Sequence, residues 1–172
     1  VGLPAMIRAS AGITRMLLDE LPAALERIGA EAVLAEAAEP AGALVARRLG
    51  MPYVTSHTGL PLNREPSVPP PYLGWSYRDD ARGLERNAWG YRVSDWLLRP
   101  IDGAVERAAA AWGLEPEPGF SPLLQVAQCV AGLDFPRRAL PASFRYCGPF
   151  RAGEEEPVEL PDDRPLVFCS LG

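Results

Sequence analysis

From Ile13 to Ile28 the apolar residues Met16, Leu17, Leu21, Ala24 and Leu25 recur at helical spacing, and Gly29 follows as a C-cap. The spacing predicts a helix over 13–28. Ala32 to Ala35 is a short apolar run, Pro40 suits the first turn of a helix reaching Leu49, Gly50 ends it, and Pro52 to Thr55 reads as extended. Strand, helix and strand with short connections predict an α/β fold with a Rossmann-like parallel sheet and helices on its faces.

The periodicity then breaks. Residues 56–77 carry Pro61, Pro66, Pro69, Pro70 and Pro71, with Leu60, Tyr72, Leu73, Trp75 and Tyr77 interleaved. A structureless loop of that length either binds or covers something, or is a proline-stiffened surface connection. Helical spacing returns from Asp79 to Trp112, interrupted by Pro100 and closed by Gly113, which predicts two helical pieces with a kink. Its Trp89, Trp96 and Trp112 read as core packing. Apolar runs at 129–133 and 144–147 predict two further strands. An acidic, proline-containing stretch over 151–164 reads as an interdomain linker, and 165–172 as the first strand of a second domain whose remainder lies outside the chain.

Composition narrows the function. With 48% hydrophobic and 23% charged residues, the 172-residue chain can bury a sizeable core. A net charge of −5 and scattered arginines argue against nucleic acid as a partner. No apolar run reaches the roughly 18–20 residues that span a bilayer, while contact with a membrane surface stays open. Residues 1–13 have neither the basic start nor the apolar core of a targeting peptide. Cys129, Cys147 and Cys169 lack metal-site spacing and read as buried strand residues in a reducing compartment; no metal site or disulfide scaffold is expected.

Five blocks carry a family likeness: Glu39-Pro40-Ala41-Gly42, Leu60-Pro61-Leu62-Asn63-Arg64-Glu65-Pro66, Phe120-Ser121-Pro122-Leu123, Leu133-Asp134-Phe135-Pro136-Arg137 and Ser170-Leu171-Gly172. In this order they resemble the zeaxanthin glucosyltransferases of carotenoid biosynthesis, within the GT-B sugar-nucleotide transferases. The resemblance runs from about Met16 onward and is most specific at 60–66. It implies two Rossmann-like domains, of which residues 1–150 would be the later part of the N-terminal, acceptor-binding one. The implied reaction is attack of an acceptor hydroxyl on UDP-glucose with inversion, without a metal or other cofactor, in the cytoplasm or at a membrane periphery. Partners would be a nucleotide sugar and an apolar hydroxylated acceptor.

The resemblance also assigns residues. The family's catalytic histidine falls outside this chain, and Glu36 stands where the family has the aspartate that orients it. The alternative for Glu36 is a solvated glutamate at a strand end. Glu39, before the Pro40 helix, is either a helix-stabilising charge or an acceptor contact. His57 is either structural or part of the acceptor site. Asn63, Arg64 and Glu65 either orient the acceptor or form a local ion pair and turn. Leu60 and Trp75 would suit a long apolar acceptor. Ser170 and Gly172 would approach the nucleotide sugar, or merely end a strand. Transfer to another apolar aglycone of polyketide or macrolide type, a sugar-nucleotide epimerase and a non-catalytic α/β binding module remain alternatives.

Overall fold

A computed structural model describes residues 2–115 and 119–150. The expected linker over 151–164 and strand over 165–172, with Cys169, Ser170 and Gly172, lie outside the described residues.

Among the described residues four parallel strands form one sheet in the order β1 (Val33–Glu36), β2 (Tyr53–His57), β3 (Gln125–Ala127), β4 (Phe144–Tyr146). Helix α1 (Leu3–Ile28) precedes β1, α2 (Pro40–Arg48) joins β1 to β2, and α3 (Ala81–Ala111) lies between β2 and β3. The α/β expectation holds. Leu18 of α1, Leu44 and Val45 of α2, and Ala104 and Ala109 of α3 make the main apolar cluster. A second cluster seats Ala43 and Ala46 of α2 on Ala35 and Tyr53 of the sheet.

The caps follow the chain's punctuation. Gly29 and Gly50 take left-handed conformations, with φ of 65° and 64°, after α1 and α2. Helix α1 reaches back to Leu3, well before the predicted start, because Pro4 suits its first turn.

Several expectations need correction. Helix α3 is continuous through Pro100 instead of breaking there. The carbonyl deprived of its donor belongs to Trp96, on a face where both residues are exposed and water can satisfy it. On that same face Trp89 and Trp96 stand in solvent, so only Trp112 of the aromatic stripe packs against the core. The third strand is Gln125–Ala127, not the apolar run after it. Residues Ala131–Leu133 form a 3₁₀ turn, with Leu133 74% exposed. Accordingly Cys129 is half-buried beyond the strand and Cys147 is exposed, so neither is a buried strand residue.

The segment between β2 and α3 is not a surface connection either. Pro61, Glu65, Ser67, Val68, Pro69 and Pro70 are all buried, and Pro71–Leu73 make a 3₁₀ turn. A stripe of small and polar positions on α3, Gly83, Asn87, Gly90 and Ser94, receives this loop. Asn87 Nδ2 donates to the Pro66 carbonyl at 3.0 Å and Tyr91 Oη to that of Val68 at 3.0 Å. At Gly90 a Cβ would stand 2.6 Å from the Trp75 ring, so only glycine leaves the indole its seat.

Candidate active site at the carboxyl edge of the sheet

The carboxyl ends of parallel strands are where open α/β sheets bind ligands. Register aligns Glu36 with Ser56 and His57 with Ala127 along this edge. Beyond it lie two cavities. One, of about 350 Å³, is lined by Glu36, Ala37, His57, Thr58, Leu60 and Leu62 among others. The second, of about 600 Å³, lies between the loop and α3, with Leu62, Pro70, Leu98 and Phe120 as apolar walls and Asn63, Arg64, Tyr91, Ser94 and Asp102 as polar ones. Leu62 and Pro71 line both.

Glu36 sits at the tip of β1, and its Oε1 accepts a hydrogen bond from Thr58 Oγ1 at 3.2 Å. Glu39 is turned to structural work: it caps α2, accepting from the Ala41 N–H and from Thr14 Oγ1, each at 3.1 Å. His57 is 1% exposed, and its Nδ1 accepts from the Leu62 N–H at 3.3 Å. That bond puts the proton on Nε2, which is buried without a hydrogen-bond partner among the described residues. Burial lowers the imidazole's pKa from 6.5, although Gln125, Glu36 and Asp134 draw it upward.

The three polar residues of the loop separate. Asn63 Nδ2 donates to Gln125 Oε1 at 3.0 Å, while its Oδ1 is buried and unpartnered among the described residues. Arg64 pairs with Asp95 on α3 and lies over the Tyr91 ring, walling the larger cavity. Glu65 faces inward, away from either cavity. Burial opposes its charge, yet N–H groups of Arg138 and Ala139 and the Ser67 hydroxyl donate to it, with Arg137 nearby, and hold its pKa below the ordinary value. Leu60 lines the smaller cavity. Trp75 lines neither; it packs on Gly90 of α3 with the Arg86 guanidinium 5.1 Å from its ring centre.

The structure adds residues that spacing did not single out for a role. Asp134 and Arg137 form a fully buried pair at 2.7 Å. Arg137 also donates to the Pro61 and Asn63 carbonyls, both at 2.6 Å, and Tyr146 Oη donates to Asp134 at 2.6 Å. Ser121 Oγ donates to the Tyr53 carbonyl at 2.5 Å and accepts from the Leu123 N–H, while its own N–H donates to Thr55 Oγ1. Thus the blocks at 60–66, 120–123 and 133–137, with Gln125 between the first two, are one hydrogen-bonded scaffold around β2. Ser94, in the wall of the larger cavity, is buried on α3 with a hydroxyl unpartnered among the described residues. Asp102 beside it is made a weaker acid by partial burial and by Glu106 and Asp95. A serine inside a buried helical stripe was the available signal for Ser94. Among the described residues, no cluster of His, Cys, Asp or Glu could hold a metal ion. No helix among them is long and apolar enough to cross a membrane.

Against known sequences, the chain is 40% identical to the zeaxanthin glucosyltransferase of Pseudescherichia vulneris over 97% of its own length. It is 38% identical to that of Pantoea ananas, again over 97%. The chain is a relative of the zeaxanthin glucosyltransferases. It spans 42% and 41% of the length of these two proteins. No protein-family model matches it. The scaffolded loop, the strand tips and both cavities fall within the span shared with the zeaxanthin glucosyltransferases.

Proposed function

We propose that the chain is the acceptor-binding part of an inverting glucosyltransferase that moves glucose from UDP-glucose to a hydroxyl of an apolar acceptor, a hydroxylated carotenoid such as zeaxanthin. Similarity to zeaxanthin glucosyltransferases across 97% of the chain carries this reading. The larger cavity supports it, because mostly apolar walls with a few polar residues among them suit a ligand of that chemistry.

In this reading the acceptor's apolar body lies along Leu62, Pro70, Leu98 and Phe120, and its binding energy comes mainly from buried area, at roughly 25 cal/mol per Å². Asn63, Arg64, Tyr91 and Asp102 in its wall offer polar groups to a ring hydroxyl that enters the cavity. A hydroxyl is a weak nucleophile at neutral pH and needs a base. Glu36 is the positioning residue for that base, a histidine from a part of the longer protein preceding this chain. Its Oε1 is held by Thr58, which leaves Oε2 to orient the imidazole and stabilise its protonated form. The sugar nucleotide, with Ser170 and Gly172 approaching it, belongs to a second domain beginning near residue 165. No metal takes part.

Full-length protein supplied with UDP-glucose and zeaxanthin should yield a glucoside resolved by chromatography, with the α-linkage of the donor converted to β. Glu36→Gln should lower turnover at least about tenfold, with acceptor binding little changed. An unchanged rate removes Glu36 from the mechanism. Product with UDP-glucose but none from any hydroxylated carotenoid would move the acceptor assignment to another apolar alcohol.

A further inference from the structure

Helix α3 shows two unlike faces. One carries Tyr91, Ser94 and Leu98 into the larger cavity. On the opposite face Trp89 and Trp96 are 61% and 62% exposed. Seven residues apart, they stand two turns and about 10 Å from one another along the axis. Helical periodicity groups them with Arg82, Arg92, Arg99 and Arg107, all exposed, against Glu85 and Glu106. None of the four arginines pairs with a carboxylate among the described residues. The face is therefore cationic and aromatic on a chain whose net charge is −5.

We infer that this face of α3 is a docking surface for an anionic lipid bilayer. Indole rings settle at the boundary between headgroups and acyl chains, where the ring is buried and its N–H stays wet. Unpaired guanidinium groups beside them match lipid phosphates in charge and geometry. Aromatic anchors with a basic polar face are the pattern of helices that lie in the interface plane without crossing it. The cavity opens on the far side of the same helix, about one helix diameter of 10 Å from the bound surface. A lipid-soluble ligand would travel that distance instead of crossing bulk water.

The test is co-sedimentation of the full-length protein with vesicles, with no substrate present, so that its result stands apart from the transferase reading. Vesicles containing about one-third phosphatidylglycerol should pellet the protein, pure phosphatidylcholine should not, and about 0.5 M salt should release it. Trp89→Ser with Trp96→Ser should cut the bound fraction at least about fivefold while the melting temperature holds. Should that pair fail to fold, Arg92→Glu with Arg99→Glu must give the same loss. Equal pelleting of both variants with wild type, or equal binding to the two kinds of vesicle, overturns the inference. So does loss of self-association on size exclusion without loss of vesicle binding, which would mark the face as a protein interface.

Discussion

Arg137 shows how one side chain can decide whether a site exists. Its guanidinium neutralises a buried Asp134 and ties down two carbonyls of the loop. Arg137→Leu leaves the buried Asp134 without its counter-ion, which costs about 3–5 kcal/mol. Urea unfolding of the full-length protein should show that loss, together with loss of the loop's near-ultraviolet dichroism. His57 carries a pH signature. Its folded pKa lies below 6.5, so just below that pH the unfolded chain binds a proton that the folded one refuses. Stability should therefore rise with pH up to about 6.5 and then level off. In His57→Gln the difference between unfolding midpoints at about pH 5 and about pH 7.5 should shrink. The depressed pKa of Glu65 acts in a lower window: its contribution is present above about 4.5 and lost as pH falls through the folded value.

At the scale of elements, the close packing of the loop on α3 can be probed through one glycine. Gly90→Ala should gain about 1 kcal/mol of helix propensity. The new methyl meets the Trp75 ring at 2.6 Å and Leu73 Cδ1 at 3.1 Å, so a net loss of about 1–3 kcal/mol is expected. A displaced Trp75 emission would report it. The same elements show what could be read in advance. Helix ends at Gly29 and Gly50 and strands β1 and β2 were legible, because local backbone chemistry sets them. Strand β3 was not, since its first residue is a buried glutamine whose amide is satisfied by Asn63 and by the Ser121 carbonyl, contacts 62 and 4 residues away. The apolar run after it, with Val130 and Leu133 exposed, drew the expectation there instead. Glu36 was legible as a strand-end residue, whereas His57, expected just past the strand, is the last residue of β2. Ser94 and the inward turn of Glu65 were not, because both depend on where the loop docks.

For the whole molecule, the exposed side chains form a pattern. Leu3, Met6, Ile13 and Met16 of α1 stand in solvent, as does Leu34 on edge strand β1, 64% exposed. Exposed apolar patches, and a strand edge that no strand among the described residues pairs with, favour association. The 172-residue chain expressed alone should bind a hydrophobic dye strongly, with weak near-ultraviolet dichroism, whereas the full-length protein should not. A sharp, cooperative melt of the isolated chain would contradict this.

The scaffold around β2 also sets an order of events during synthesis. Helices α1 and α2 and the first two strands can form from neighbours in sequence, but the loop waits for Arg137, which lies 76 residues beyond Pro61. Contacts of that span are slow to form, because a long loop must close first. On the ribosome the cavity therefore stays unformed until the 133–139 segment has left the exit tunnel. Until then the buried prolines and Val68 of the loop are open to chaperones, and the cavity cannot take up a ligand.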